Sequence, residues 1–233
     1  MTGTLIGVGV GPGDPELLTL RAVRILREAD RVVAPAVAID AVGRAESIIR
    51  QAAPSISVHR IPFAMAPGAA ARQASAADAA RGLVAWLDAG ERVAFVTLGD
   101  PNVYSTFSAV AAEVRLLRPD VAVETVPGIM AFQDLAARAG AVLLDDRQML
   151  TLVTALDGPA DTAAAVADPD RAVVVYKGGR HVPAIAKVLA EAGRLDGAVI
   201  GELLGLPGER IAALGDVADQ PASYLATIVI PPA

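Results

Sequence analysis

Five short apolar runs, TLIGVGV (4–10), RVVAP (31–35), ISVHRI (56–61), RVAFVTL (92–98) and VAVETV (121–126), alternate with four stretches of helical periodicity. No other feature of the sequence restricts the fold so strongly. Strands that alternate with helices pair in parallel through right-handed crossovers, with the helices lying on the sheet faces. In the first helical stretch, 15–29, Leu17, Leu18, Leu20, Ala22, Val23, Ile25 and Leu26 form one broad apolar face, with Arg21, Arg24, Arg27 and Glu28 mostly outside it. Asp14 suits its N-cap and Pro15 its first position. Pro35 is expected to stop the second strand. Helices are expected at 43–52, at 69–89 up to Gly90, and at 103–117, with the biased segment 64–80 beginning as a loop that enters its helix.

The pattern changes after Pro127-Gly128. A helix fits 129–139, strands fit 149–155 and 171–176, and a helix fits 182–192. Three late strands then follow, within LDGAVIGELLG, RIAAL and YLATIVI, with short turns and little helix between them. Such runs pair antiparallel and give a mixed sheet. The expected architecture is two α/β domains, 1–126 with a mainly parallel sheet and 127–233 with a mixed one.

Hydrophobic residues make up 54% of the 233 and charged residues 20%, enough for a sizeable core, but aromatics are only 3%, so that core is Ala, Val, Leu and Ile. There is no cysteine, hence no disulfide, thiolate nucleophile or thiolate metal site. His59 and His181 are the only histidines, so no metal site is expected. The formal net charge of -6 argues against nonspecific nucleic-acid binding, which needs a basic face. No apolar run reaches the roughly 18 residues of a membrane span. MTGTLIGVGV lacks the basic and apolar regions of a signal peptide, so a soluble cytoplasmic protein is expected.

GVGVGPGDPELLTL (7–20) places four glycines at alternate positions. A dinucleotide fingerprint, G-x-G-x-x-G, fails in both frames, because Pro12 or Asp14 stands where the third glycine is needed. The second strand is followed by Ala36-Val37-Ala38-Ile39 before the first acidic residue, Asp40, and no Gly-Lys-Ser/Thr exists for a P-loop. Two readings stay open: a tight strand-to-helix turn, or a turn that lets a ligand or another backbone approach. Gly-Asp-Pro recurs in LGDPNVYSTF (98–107), again between strand and helix, with Tyr104, Ser105 and Thr106 adding hydroxyls. Asp100 suits both a helix cap and a site carboxylate. A third glycine turn, VPGIMAF (126–132), joins the halves. Turns at the carboxyl ends of parallel strands face one crevice, where open α/β sheets bind small molecules.

In these three turns, and in the order of GVGVGPGDPELLTLRAVRILREADRVV, VAFVTLGDPNVYSTF and VETVPGI, the chain resembles the tetrapyrrole (uroporphyrinogen-III/corrin/porphyrin) methyltransferases. AVVVYKGG and YLATIVI are compatible with this. LGDPNVYSTF with IPFAM (61–65) is most similar to the branch that methylates C20 of precorrin-2 to give precorrin-3A in cobalamin biosynthesis. The resemblance implies an S-adenosyl-L-methionine (SAM) donor, S-adenosyl-L-homocysteine as product, a cofactor cleft between the two domains, and a homodimer. It places Pro12, Gly99, Asp100, Val103, Ser105, Thr106, Met130, Ala131, Tyr176, Lys177, Leu206 and Thr227 at the cofactor. Met130 replaces a small hydroxyl residue and Lys177 an apolar one common in relatives. A sulfonium methyl and an enamine-like ring carbon need alignment and exclusion of water more than a base. Asp100, by charge balance, and Tyr104 are the candidate catalytic residues. The acceptor carries many carboxylates, which makes Arg60, Arg72, Lys177, Arg180 and His181 the candidate substrate ligands. The rivals are a methylase acting on the cobalt-containing intermediate or another ring carbon, a diphthine-type methylase, and a SAM-binding module without activity.

Overall fold

The structure, a computed structural model, describes residues 2–38, 40–63 and 69–233. The end of IPFAM and the expected loop entry at 64–68 lie outside the described residues. The chain divides into two compact units, Met1–Met130 and Ala131–Ala233.

The first unit holds β1 (Thr4–Gly9), α1 (Leu20–Glu28), β2 (Arg31–Ala36), α2 (Arg44–Ala52), β3 (Val58–Pro62), α3 (Ala69–Asp88), β4 (Arg92–Thr97), α4 (Thr106–Leu117) and β5 (Ala122–Val126). The strands form one sheet in the order β3-β2-β4-β1-β5, parallel throughout. β4 is central, and β1, between β4 and β5, pairs with β4 from Thr4↔Arg92 to Gly9↔Thr97. Alternate residues of each strand serve two cores. Leu5, Val33, Ile61, Val93 and Phe95 face α3 and α4, where Leu83, Leu87, Phe107 and Val110 meet them. Ile6, Val8, Val32, Ala34, Ala94 and Val96 face α1 and α2, against Ile25, Leu26, Ile48 and Ile49. The inner strands β1, β2 and β4 are buried on both faces and gain no polar alternation, which is why their runs read as continuously apolar.

Two local expectations are corrected. The stretch 15–29 is not one helix: Asp14 caps a single 3₁₀ turn, Pro15–Leu17, and Thr19 then caps α1 by accepting from the Ala22 N–H at 3.1 Å. This second cap resets the helical phase and leaves Leu20 90% exposed instead of on the apolar face. Pro35 does not stop β2, which runs to Ala36. The ladder to β4 ends at Val33, so the proline costs no bond on that side.

The second unit holds α5 (Ala131–Ala139), β6 (Met149–Thr154), α6 (Ala160–Val166), β7 (Arg171–Tyr176), α7 (Val182–Glu191), β8 (Val199–Glu202), β9 (Arg210–Ala213) and β10 (Thr227–Ile230). Its sheet runs β6-β7-β10-β8-β9, with β6 and β7 parallel and the other pairs antiparallel. The mixed sheet expected from the late strands is present; the crossover helix α6 was not anticipated, because its seven residues, ADTAAAV, are too few for a clear period. α6 and α7 cover one face, where Val173, Val175, Ile185, Leu189, Ile200 and Ile228 are buried. On the other face α5 brings Leu135 against Val174, Leu204 and Val229. Arg194 is only 4% exposed, and its guanidinium donates to four carbonyls, those of Val166 (3.4 Å), Asp168 (3.2 Å), Arg171 (2.9 Å) and Pro231 (2.5 Å). Among the described residues no helix is long and apolar enough to cross a membrane.

Candidate functional site

The glycines that opened the question have separate steric causes. A Cβ on Gly7 would stand 2.6 Å from Cζ of the Phe107 ring, so this glycine admits a core side chain and no ligand. A Cβ on Gly9 would lie 2.7 Å from both N and Cα of Gly128 and closer still to the carbonyl oxygen of Gly99. Gly11 has φ +81° and forms an isolated antiparallel bridge with Gly99, whose N–H donates to the Gly11 carbonyl at 2.9 Å. A Cβ on Gly128 would be 2.8 Å from Cα and C of Gly9 and would collide with the same Gly99 oxygen. The turns after β1, β4 and β5 therefore touch main chain to main chain, all at the carboxyl edge of the parallel sheet.

Gly99 itself is different. Its φ is +63°, and a Cβ built there meets only the Cα of Met130, at 3.9 Å. Apart from that ordinary contact the space at Gly99 is open among the described residues, a cradle that a small substituent would begin to fill. Pro12 is buried behind the first turn. Asp100 braces the arrangement: one carboxylate oxygen accepts from the Asn102 N–H at 2.8 Å and the other from the Gly128 N–H at 3.1 Å. Its carboxylate thus ties the second turn to the third, and it does not cap α4. That position belongs to Ser105, whose Oγ accepts from the Phe107 N–H at 3.0 Å and donates to Oγ1 of Thr97 at 3.0 Å. Val103 is half-buried and its N–H lies 3.4 Å from the Asp100 carbonyl; Thr106 opens α4. Tyr104 between them is exposed, with φ +48°.

In the second unit, Tyr176 ends β7 and pairs with Thr227, the buried first residue of β10. The Tyr176 hydroxyl accepts from the Phe132 N–H at 3.4 Å, one of the otherwise unpaired donors in the first turn of α5, which Ala131 begins. Lys177 follows with φ +58°. Leu206 sits in a loop with three left-handed residues, Leu203, Gly205 and Gly208. That loop is held by Glu209, which accepts from the Gly205 N–H at 2.6 Å and pairs with Arg138. The Arg138 hydrogen bond, aided by the Gly205 N–H, holds the Glu209 carboxyl below its ordinary range.

Of the basic residues expected to meet a polycarboxylate, Arg60 and Arg72 belong to the first unit and Lys177, Arg180 and His181 to the second. Arg60, on β3, is committed to Glu46 of α2 through two bonds, Nε–Oε2 at 2.7 Å and Nη2–Oε1 at 2.9 Å. Glu46 has no exposed surface, and Arg50 adds a third bond at 2.8 Å. Arg60 first, then Arg50, hold this carboxyl below its ordinary range against the opposing effect of burial. Arg72 is exposed on α3, across the sheet from α2. In the second unit Arg180 is exposed; its Nε donates to Nε2 of His181 at 3.0 Å and its Nη2 to the Leu156 carbonyl. Sequence reasoning missed Glu46, Thr97 and Gly128 as supports of these residues. Only Gly128 carried a signal, the Pro-Gly turn itself; a partner 14 positions away, as Glu46 is to Arg60, leaves no local trace.

The model of the tetrapyrrole (corrin/porphyrin) methylases matches residues 4–218 of this chain. The chain is 34% identical to a cobalt-precorrin-2 C(20)-methyltransferase of Salmonella typhimurium, over 99% of its own length and 97% of the relative's. It is 32% identical to a precorrin-2 C(20)-methyltransferase of a Sinorhizobium species, over 98% and 95%. Among solved structures it is similar to uroporphyrin-III C-methyl transferase from Thermus thermophilus complexed with S-adenyl homocysteine, with a TM-score of 0.69, 26% identity, and coverage of 98% and 97%.

Proposed function

Because the chain belongs to the tetrapyrrole (corrin/porphyrin) methylases, we propose that it transfers a methyl group from SAM to C20 of precorrin-2, giving precorrin-3A. The observation that carries this reading is the near full-length similarity to two relatives whose names share C20 as the methylated position. SAM, when bound, supplies a methyl group on a positively charged sulfur. The first unit offers what such a donor needs. The open side of Gly99, bounded by Met130, admits a ligand where the neighbouring glycines are filled by chain. Pro12 belongs to the first of the turns that meet here and Val103, Ser105 and Thr106 to the second, where Asp100 adds a negative charge. No His, Cys or Lys stands in these turns to act as a strong base. The chain's work is then to hold donor and acceptor in line and keep water out, which is sufficient when both partners are already reactive.

A cobalt-containing acceptor is the second reading, favoured by the name of the Salmonella relative. In either case the protein acts in the cytoplasm as a homodimer. Val142, Leu144 and Met149, exposed at 75%, 44% and 52% beside the edge strand β6, support a covered surface there. The test is anaerobic incubation with SAM and, separately, precorrin-2 and its cobalt complex. Mass spectrometry then counts methyl groups, NMR locates them, and light scattering gives the oligomeric state. One methyl at C20 is expected. SAM binding without transfer to either acceptor, or transfer to another ring carbon, overturns the assignment.

A further inference from the structure

The chain has one Trp, three Tyr and four Phe, a small aromatic endowment for 233 residues. Phe63, Phe95 and Phe107 are buried in the first unit, and Trp86, Phe132 and Tyr176 are packed against a core. Only Tyr104 and Tyr224 are substantially exposed, at 45% and 48%. Tyr104 is also left-handed, with φ +48°. For a bulky side chain that backbone region is an outlier, because Cβ crowds the neighbouring peptide; glycine or asparagine occupies it at less cost. The strain persists because the surroundings fix it: Asp100 holds the Asn102 N–H just before Tyr104, and Ser105 just after it is anchored to Phe107 N and to Thr97. A turn that would close more easily with a small residue instead carries a half-exposed aromatic residue, five residues beyond Gly99. Left-handed residues over-determined by their neighbours concentrate where a ligand is held.

We propose that Tyr104 is a substrate-binding residue whose ring face packs against a pyrrole ring of the tetrapyrrole acceptor. This rests on the methyl-transfer reading above and adds the residue that recognises the acceptor. A reduced macrocycle is not flat, so it offers its rings one at a time, and a single exposed aromatic suits it better than a broad apolar wall. Stacking on an aromatic face tolerates substituents around the ring edge and leaves the peripheral carboxylates free for cationic groups.

Three variants test it in the intact chain: Tyr104→Phe, Tyr104→Gly and Tyr104→Asn. Glycine and asparagine both suit the left-handed backbone, so neither is expected to lower the melting temperature. Both are expected to raise KM for the tetrapyrrole about tenfold, the scale of losing one stacked ring, with the SAM dissociation constant by calorimetry unchanged. Tyr104→Phe should stay within about threefold of wild type, since it keeps the face. An unchanged KM in Tyr104→Gly and Tyr104→Asn makes Tyr104 a turn residue only and overturns the proposal. So does a parallel loss of SAM affinity, which would move the contact to the cofactor, or a Tyr104→Phe variant as impaired as Tyr104→Gly, which would assign the effect to the hydroxyl. In each of these cases wild-type transfer to C20 leaves the methylase reading standing; wild type inactive on both precorrin-2 and its cobalt complex overturns the two together.

Discussion

Gly128→Ala isolates the contact among the three turns of the first unit. No left-handed φ is recorded at Gly128, so the added methyl acts by volume alone. It would stand 2.8 Å from Cα and C of Gly9, roughly 0.7–1.2 Å inside the optimal separation of two carbons. Its third neighbour, the Gly99 carbonyl oxygen, cannot swing aside, because the Gly99 N–H is bonded to Gly11 at 2.9 Å and Asp100 holds the Gly128 N–H at 3.1 Å. The turns must part by about 1 Å. Forced overpacking costs about 1–3 kcal/mol, and weakening the half-exposed Asp100 bond adds about 1 kcal/mol. The sum of roughly 2–4 kcal/mol corresponds to a fall of about 10 °C in the melting temperature of a unit this size. A displacement of about 1 Å at the reacting groups is also enough for a loss of roughly 100-fold in kcat/KM. Calorimetric melts and SAM titrations measure both, with Gly215→Ala as the control, since a Cβ there meets nothing within 4 Å. A Gly128→Ala protein that melts within about 2 °C of wild type and keeps kcat/KM within about threefold would refute the claim that main-chain contact shapes the site.

Asp100→Asn keeps the shape but turns one acceptor into a donor facing a backbone N–H; it should cost about 1–2 kcal/mol as well as SAM affinity, and weaker SAM binding with an unchanged melting temperature would make Asp100 a charge-balancing group only. Glu46→Gln should cost about 2–4 kcal/mol at neutral pH. Folded Glu46 titrates below its ordinary 4.5, so its contribution is complete above that pH and fades as pH falls through the lowered value. The gap between wild type and Glu46→Gln in denaturant titrations should therefore shrink below pH 4.5, and a gap that stays constant into that range contradicts the assignment. Arg194→Met removes the donor shared by four carbonyls and should destabilise the second unit by about 3 kcal/mol, with Arg194→Lys between the two; a melting temperature within about 2 °C of wild type would show that the carbonyls find other partners.

The inner strands of both sheets were legible in the sequence because strands buried on both faces are written as runs rich in Val, Ile and Ala. β4, RVAFVT, needs no tertiary information to be recognised. Boundaries shifted where a cap outranked periodicity, as Thr19 did over the apolar spacing of Leu17, Leu18 and Leu20. The glycine turns were legible as turns, but their mutual contact was not. That Gly9, Gly99 and Gly128 meet depends on the strand order β4-β1-β5, which sequence adjacency does not encode. Arg60 read as a ligand for a carboxylate, and in the fold it has one, the internal Glu46. Tyr104 carried no conformational signal at all, since tyrosine is among the last residues expected in a left-handed turn.

The contact of the three turns also bears on how such a site can diversify. Its shape is set by peptide groups and hydrogen atoms, so no side chain can be exchanged at Gly9 or Gly128 to enlarge or reshape it. Variation is confined to the exposed positions beside this fixed jig, Asn102 and Tyr104. Descendants of one ancestral chain could therefore change acceptor at those rim positions while inheriting the donor-facing geometry unaltered. A library randomised at the rim should yield folded proteins at high frequency, and one randomised at the two glycines almost none.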